Sequence, residues 1–364
     1  MMGVRTERVL VARLDSLGDL LLCGPAIRAI AARAEVHLLC GPRGAAAARM
    51  LPGVASVHVW DAPWIASPPP VASRGHLEEL AGILAEVRAD AAVVLTSFHQ
   101  SPLPLALQLR LAGVPRVTGA SVDYAGSLLD VRLKPGEDFP ESQSEVVRAL
   151  TIAAAAGYEL PEGDDGRLAV EPPPERSPDL SELPERYVAV HPGAAVGARA
   201  WPPANHRDLV RRLAERDVPV VVTGGPDERE LTASVAADLA VDLGGRTPLP
   251  DLARVLRQAD VVVAGNTGAA HLAAAVRTPI VSLFSPVVDE RCWRPYGVPV
   301  VLFGRTDVAC AGTRARDCPV PGHPCLADVS APAVADAVLA LRPADAARAV
   351  PAETGSRRAE AVPA

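Results

Sequence analysis

The chain has 364 residues, of which 49% are hydrophobic, and a formal net charge of −7. This acidic balance argues against a general nucleic-acid-binding protein, which would carry a basic footprint. No uninterrupted apolar run approaches the roughly 18 residues of a membrane-spanning helix. Charged residues interrupt the apolar stretch near the N-terminus, so no signal peptide is indicated. Six cysteines in a chain of this length do not suggest a secreted disulfide scaffold, and we expect a cytosolic protein.

Short β-branched runs alternate with Ala-rich helical stretches along most of the chain. In both halves these runs are nearly continuous in apolar residues, which is typical of parallel strands buried on both faces. The pattern predicts two doubly wound α/β domains that face one another across a cleft. The predicted strands are 8–14, 35–40, 57–60 and 91–97 in the first half, and 187–193, 218–225, 260–266 and 278–284 in the second. The predicted helices include 24–34, 76–88, 205–216, 228–239 and 267–276.

Composition suggests where the two domains begin and end. We expect a first domain over residues 1–170, a Pro-rich linker over 171–186 and a second domain over 187–341. Residues 342–364 are poor in large apolar side chains, and we expect a disordered tail there. Doubly wound sheets bind ligands beyond the carboxyl ends of their strands. The residues that follow each strand are therefore the informative ones.

The turn after the first strand reads Asp15-Ser16-Leu17-Gly18-Asp19, with carboxylates where a phosphate cradle would need glycines and free N–H groups. Ser16 and Asp19 have the spacing of a capping box, which would only stabilise a helix. His99, at the end of a later strand, would lie on the same side of the cleft. Neither half contains G-x-G-x-x-G after a strand, so a nicotinamide oxidoreductase is unsupported.

The second half offers a candidate phosphate site in "AGNTGAAHLAAA". Thr267 is a suitable helix N-cap, and small residues after it would let an anion approach free N–H groups at the positive end of the helix. His271 lies one turn further and can donate towards the same place. A plain capped helix, with small residues that pack on the sheet, explains the same pattern.

Two other segments of this half carry candidate ligand-binding residues. Arg199 lies on a glycine-rich loop and could clamp a diphosphate through paired hydrogen bonds, although a solvated surface arginine is the simpler interpretation. Glu228 begins a helix after a Gly-Gly-Pro turn, where an acid can hold ribose hydroxyls or merely favour the helix start. No Asp-x-Asp occurs, so the metal-bridging motif of many sugar-nucleotide enzymes is absent.

A cysteine-rich loop near the C-terminus is a separate feature of the sequence. Cys310, Cys318, His323 and Cys325 provide the three thiols and one imidazole that a zinc site could use. Their spacing is looser than in compact zinc motifs, and Cys-x-x-Cys is absent. We therefore favour ordinary thiols on a surface loop, with zinc as the alternative.

Four blocks of the sequence, in this order, resemble the heptosyltransferase family of glycosyltransferases, also called glycosyltransferase family 9. They are "VLVARLDSLGDLLLCGPAIRAI", "VAVHPGAAVGARAWPPANHRDLV", "VVVTGGPDERELTASVA" and "DLGGRTPLPDLARVLRQADVVVAGNTGAAHLAAAVRTPIVSLFSP". A fifth and weaker block is "SFHQSPLPLALQLRLAGVPRVTGAS". The blocks extend over most of residues 8–341.

The resemblance implies a GT-B fold, with the acceptor in the first domain and a nucleotide-diphosphate sugar in the second. It implies transfer with inversion, without an essential metal or any cofactor. Asp19 would be the general base, and Gly18 and His99 would lie on the acceptor side. The donor would be bound by Arg199, Glu228, Asn266, Thr267, Gly268 and His271. A glycan or glycolipid acceptor would bring the protein to the inner face of the cell membrane, and ADP-heptose is the best-known donor of the family.

Two departures from the family pattern leave the donor open. Asn266-Thr267-Gly268 stands where the family commonly has Asp-Ser/Thr-Gly, and Arg199 stands where it often has lysine. Both changes suit a diphosphate site, because Asn removes a like charge and Arg keeps the positive one. The alternatives are another GT-B enzyme, such as a hexosyltransferase or an epimerase, and a sugar-nucleotide-binding protein without catalysis in which Asp19 only caps.

Overall fold

The structure is a computed structural model that describes residues 6–66, 68–97, 99–171, 180 and 183–343. Its first half forms a parallel six-stranded sheet in the order β3-β2-β1-β4-β5-β6. The strands are β1 Arg8–Arg13, β2 Glu35–Cys40, β3 Val54–Val59, β4 Ala91–Val94, β5 Val117–Ala120 and β6 Val131–Leu133. The helices of this half are α1 Leu17–Leu22, α2 Gly24–Ala31, α3 Ala45–Ala48, α4 Arg74–Val87, α5 Leu103–Leu111 and α6 Glu145–Ala155.

The second half forms another parallel six-stranded sheet, in the order β12-β11-β10-β7-β8-β9. Its strands are β7 Val188–His191, β8 Val220–Val222, β9 Val241–Asp242, β10 Val261–Gly265, β11 Ile280–Leu283 and β12 Val300–Phe303. Its helices are α7 Pro203–Ala214, α8 Arg229–Ala236, α9 Leu249–Gln258, α10 Gly268–Ala275, α11 Glu290–Trp293, α12 Pro324–Ala327 and α13 Ala331–Leu341.

The two sheets have the same topology. In each, the first strand of the half lies beside the fourth, which is the doubly wound Rossmann order. The expectation of two doubly wound parallel sheets is therefore confirmed. The crossover reverses direction between β1 and β4 in one sheet and between β7 and β10 in the other. These two switch points are where such sheets bind ligands.

Alternation along the strands distributes their side chains between separate cores. In β1, Val9 and Val11 join one apolar cluster, whereas Leu10 and Ala12 join another on the opposite face. Strand residues point to opposite faces in turn, so apolar residues at every position are needed when both faces are covered. One of these clusters also includes strand residues of the second sheet, such as Val262. The two halves therefore share a continuous core.

The N-termini of helices α1 and α10 meet where the two halves face each other. A Cβ added to Gly18 would lie 2.8 Å from Cδ2 of His271 and 3.4 Å from Cα of Gly268. A Cβ added to Gly268 would lie 2.6 Å from Cδ2 of Leu17. A side chain at Gly18 would therefore displace a histidine ring, whereas one at Gly268 would require the end of the Leu17 side chain to move.

The predicted domain boundaries remain predictions. Residues 172–179 and 181–182 of the expected linker, and residues 344–364 of the expected tail, lie outside the described residues. In the part of the chain that the structure describes, no helix combines the length and apolar character needed to cross a bilayer.

Candidate active site

A polar cleft of about 750 Å³ lies between the two halves, at the switch points of both sheets. The turn after β1 and the segment after β4 line one wall. The loop after β7 and the start of α10, which follows β10, line the other. Apart from Glu228 and the four residues of the zinc alternative, the cleft is lined by every residue that the sequence predicted for the site. These residues are Gly18, Asp19, His99, Arg199, Asn266, Thr267, Gly268 and His271.

Asp19 lies on the floor of the cleft, with 24% of its side chain exposed. Its carboxylate accepts a hydrogen bond from the Ser16 hydroxyl at 2.6 Å and one from Nε1 of Trp293 at 3.3 Å. Ser16 is the N-cap residue of α1, but its side chain makes no capping hydrogen bond to the backbone. The two residues of the apparent capping box therefore bond to each other. The structure does not support capping as the purpose of Asp19.

The charge on Asp19 is set by a buried arginine. Nη2 of Arg13 lies 3.4 Å from the Asp19 carboxylate, and only 2% of the Arg13 side chain is exposed. Burial alone would raise the pKa of Asp19, but the Arg13 charge together with the Ser16 hydrogen bond holds that pKa below its usual range. Burial raises the pKa of the neighbouring Asp15, although Asp15 also pairs with Arg13 at 2.7 Å. The pKa of Asp19 is therefore lowered, whereas that of Asp15 is raised.

Arg13 is itself fixed by the first half of the molecule. Both of its terminal nitrogens donate to Glu145 of α6 at 3.2 Å, and both side chains are almost fully buried. An arginine surrounded by three carboxylates needs no further partner to remain charged. The position of the Asp19 carboxylate thus depends on β1 and α6 as well as on its own helix.

On the opposite wall, several side chains have polar atoms that lack a partner. Nε of Arg199, Nδ2 of Asn266, Oγ1 of Thr267 and Nδ1 of His271 are buried and form no hydrogen bond within the described residues. Thr267 is the N-cap residue of α10, as predicted, but its hydroxyl makes no capping bond. An unsatisfied buried polar group costs about 1–3 kcal/mol. Such a concentration in one wall indicates a place where a polar ligand supplies the missing partners.

The histidines of the cleft are neutral at physiological pH. Burial lowers the pKa of His271 to about 4, and only 4% of that residue is exposed. The pKa of His99 is also lowered to about 4, by partial desolvation of its ring and by the charge of Arg314, although the residue as a whole is exposed. Each can therefore donate or accept a hydrogen bond but contributes no positive charge. The sequence correctly indicated that His271 is directed to the α10 end of the cleft, but its charge could not be read from the pattern.

Glu228 does not line the cleft. Its carboxylate accepts a hydrogen bond from the backbone N–H of Gly225 at 2.7 Å and fills the space that a side chain at Gly193 would occupy. These contacts are the ones expected of an acidic residue that stabilises the start of a helix, which was the simpler of the two interpretations of Glu228. A role in holding ribose hydroxyls stays a prediction.

The cysteine loop does not form a metal centre. Within the described residues, no group of three or more histidine, cysteine, aspartate or glutamate side chains could hold a metal ion. Cys310 is instead buried in a small apolar cluster with Ala198 and Val287, and Cys325 packs in the core of the second half. Cys318 lies at the edge of the same small cluster. The geometry therefore gives no support to the zinc alternative for Cys310, Cys318, His323 and Cys325, and it favours ordinary packed thiols.

Sequence reasoning missed several residues of the site. Arg13 looked like an ordinary strand residue, although an arginine in an otherwise apolar strand signals a buried partner. Trp293 of α11 contacts Asp19 from the opposite half, and no local sequence pattern predicts this contact. Arg314 and Arg316 line the cleft from the cysteine loop, and Arg43 lines it from the first half.

Two Rossmann-like sheets that face one another across such a cleft form the GT-B architecture. The solved structure of E. coli ADP-heptose lipopolysaccharide heptosyltransferase II shares this fold, with a TM-score of 0.69. That likeness covers 92% of this chain and 98% of the other chain, at 21% sequence identity.

The family model described as glycosyltransferase family 9 (heptosyltransferase) matches residues 79–323. The chain therefore belongs to glycosyltransferase family 9. Lipopolysaccharide heptosyltransferase 1 of Pseudomonas aeruginosa is 30% identical over 339 residues, which cover 85% of this chain and 87% of that protein. Lipopolysaccharide heptosyltransferase 3 of Escherichia coli is 28% identical over 145 residues, which cover 38% of this chain and only 42% of that protein.

Proposed function

We propose that the protein transfers a sugar from a nucleotide-diphosphate donor to a hydroxyl group of a glycan or glycolipid acceptor, with inversion at the anomeric carbon. One observation carries the proposal. An ionised carboxylate, Asp19, faces a wall of unsatisfied hydrogen-bonding groups across a single cleft of a family 9 protein.

The reaction needs a base on one side of the sugar and a leaving group on the other. The acceptor oxygen attacks the anomeric carbon as the bond from that carbon to the diphosphate oxygen breaks. The electron pair of the broken bond stays with the diphosphate, and the hydroxyl proton passes to Asp19. A low pKa keeps Asp19 deprotonated, and proton transfer accompanies attack because the acceptor oxygen becomes acidic only as its new bond forms. The Trp293 indole and Ser16 hydroxyl fix the carboxylate for this role.

The donor diphosphate is assigned to the wall formed by Arg199 and the start of α10. The backbone of Gly268 and the Asn266, Thr267 and His271 side chains supply hydrogen bonds there, and the positive end of α10 favours an anion. Arg199 adds a charge that can bind two phosphate oxygens together. These groups support a reaction that needs no metal ion, in keeping with the missing Asp-x-Asp motif.

The names of the relatives suggest the substrates. Proteins called lipopolysaccharide heptosyltransferases, one of them described with ADP-heptose, share the family or the fold. We therefore propose ADP-heptose as the first donor to test and the sugar core of a lipopolysaccharide as the first acceptor. Because such an acceptor is anchored in lipid, we propose a cytoplasmic enzyme that works at the inner membrane surface. The first domain, residues 1–170, would hold the acceptor and the second, residues 187–341, the donor.

A thermal-shift screen of nucleotide sugars and nucleoside diphosphates tests the binding half of the proposal. A ligand present at 100 times its Kd stabilises the folded protein by about 2.7 kcal/mol, which gives a readily measured shift in Tm. Release of nucleoside diphosphate that depends on acceptor then tests catalysis. A protein that binds a nucleotide sugar but never turns it over would be a binding module, and the proposed activity would be wrong.

A further inference from the structure

Two arginines of the cysteine loop extend the positive wall of the cleft. Arg314 and Arg316 follow β12 in the chain, are exposed, and line the cleft together with Arg199. Within the described residues, no carboxylate lies at ion-pair distance from Arg199 or Arg316. Burial, and then the neighbouring charges of Arg316 and Arg314, lower the pKa of Arg199, so an anion bound among these side chains would relieve the repulsion.

The loop that carries these arginines is held in place by the Arg199 segment and its surroundings. The N–H of Ala198 donates to the carbonyl of Arg316 at 2.9 Å, and the N–H of Arg314 donates to the carbonyl of Val287 at 2.8 Å. Cys310 is buried beneath the loop against Ala198 and Val287. The backbone segments that carry Arg314 and Arg316 therefore pack on the same small apolar cluster as the segment that carries Arg199.

Arg314 also adopts an unusual backbone conformation. Its φ of 61° lies in the left-handed region, which is unfavourable for a residue with a side chain. Such strain persists only where the surrounding contacts fix it, and it concentrates at functional sites. The hydrogen bond to Val287 and the adjacent bond from Gly312 to Pro286 provide that fixation here.

The charge that the reaction creates exceeds what the predicted donor site supplies. A donor diphosphate carries about two negative charges, and the departing nucleoside diphosphate gains more as its bond breaks. His271 is neutral, so Arg199 is the one full positive charge among the donor-binding residues that the sequence predicted. Asp19 faces the same space and adds a negative charge. Arg314 and Arg316 of the cysteine loop add two further positive charges to this wall.

We propose that Arg314 and Arg316 complete a three-arginine clamp with Arg199, which binds the donor diphosphate and stabilises the charge that develops on it as the sugar leaves. The inference rests on the proposed function and adds two substrate-binding residues to it. The cysteine loop thereby gains a role: its buried thiols pack the loop, and its arginines reach the donor. Positive charge placed in advance where negative charge develops lowers the barrier to bond breaking.

Titration calorimetry with ADP and with UDP, without acceptor, tests the clamp in the full-length protein. Arg314→Gln and Arg316→Gln should each weaken binding of the preferred nucleoside diphosphate roughly tenfold, the effect of one lost charge-assisted contact. Arg316→Lys should recover part of the loss, since it restores the charge but not the paired hydrogen bonds. The dependence of Kd on salt should also weaken in the Gln variants.

Arg305→Gln is the matched control. Arg305 lies at the base of the same loop, where it pairs with Asp307 and Asp328 and does not line the cleft. Unchanged affinity in the control, with unchanged Tm in all variants, would support direct contact. Equal losses in the control and the cleft variants would mean a structural effect and overturn the clamp.

Two other results separate the clamp from the function on which it rests. If the Gln variants bind nucleoside diphosphate as the wild type does, and only the KM for acceptor rises, the arginines contact the acceptor and the clamp is wrong. If the wild-type protein binds no nucleoside diphosphate at all, the proposed function fails first. If the wild-type protein binds nucleoside diphosphate and the Gln variants bind it more weakly, both the clamp and the proposed function are supported.

Discussion

Asp19→Asn is the most informative single substitution in this protein. The change keeps the size of the side chain and its local hydrogen bonds. The amide oxygen can still accept from Trp293 beside Arg13, and the amide nitrogen can donate to the Ser16 hydroxyl, which also accepts. What disappears is the ability to take a proton. We expect kcat to fall by roughly 10²–10⁴-fold, the usual contribution of a positioned general base, or about 2.7–5.4 kcal/mol of barrier.

Donor binding should survive this substitution. Asp19 is a negative charge facing the diphosphate, so its neutralisation leaves the affinity for nucleoside diphosphate unchanged or slightly improved. The assay is acceptor-dependent release of nucleoside diphosphate at saturating donor, with calorimetric Kd and Tm measured in parallel. Asp15→Asn is the matched comparison, because it makes the same chemical change at the neighbouring carboxylate of the Arg13 network.

A single outcome would refute the reasoning. If Asp19→Asn retained more than about a tenth of wild-type kcat, Asp19 would not be the base, because a general base contributes at least about a hundredfold. A deep loss in Asp15→Asn with little loss in Asp19→Asn would transfer the role to Asp15. If both were unaffected, His99 would be the remaining candidate on that wall.

Four further expectations concern the cleft. Thr267→Val should weaken binding of nucleoside diphosphate by about 1 kcal/mol and leave Tm nearly unchanged, since the hydroxyl makes no capping bond; a large fall in Tm would contradict this. Gly18→Ala should reduce kcat and Tm more than Gly268→Ala, because its methyl group meets a histidine ring rather than the flexible end of a leucine. Because burial lowers the pKa of His271 to about 4, the free energy of unfolding should fall as pH drops from about 6.5, where an unfolded histidine binds its proton, towards 4; a urea titration at several pH values measures it. A chelator should leave transfer unaffected, and activity that is lost with chelator and restored by Mg²⁺ would exclude the metal-independent mechanism.

Most of the central strands could be predicted from the sequence, whereas β5 and the edge strands β6, β9 and β12 could not. β5 is buried, but it reads Val-Thr-Gly-Ala, which is not an apolar run. Apolar β-branched runs identified β1, β2, β4, β7, β8, β10 and β11, because these strands are buried on both faces. β6 and β12 are only partly buried, and β9 has two residues, so their composition differs little from that of loops. The third strand was predicted at 57–60 and is Val54–Val59. Helix α7 was expected to begin at Asn205 but begins at Pro203, since proline suits the first turn.

The residues that line the cleft could be predicted where they lie close together in the sequence, just after one strand. Asn266, Thr267, Gly268 and His271 lie within six consecutive positions at the start of α10, so their proximity follows from local geometry. The environment of Asp19 was not accessible in this way. It depends on Trp293, which is 274 positions away in the chain, and on an arginine that is paired with a glutamate of α6. A capping-box pattern described the spacing of Ser16 and Asp19 correctly but not the bond that they make.

The contact between Gly18 and Gly268 limits how the cleft can open. The backbones of α1 and α10 already touch there, so the two halves cannot approach one another further at that point. A rigid-body rotation of the two halves that preserves this contact has the contact as its pivot point. Asp19 and His271 lie beside this point, so they move least in such a rotation. The distance from Asp19 to the start of α10 therefore stays nearly constant in such a rotation, whereas parts of the cleft wall that are farther from the contact are displaced more.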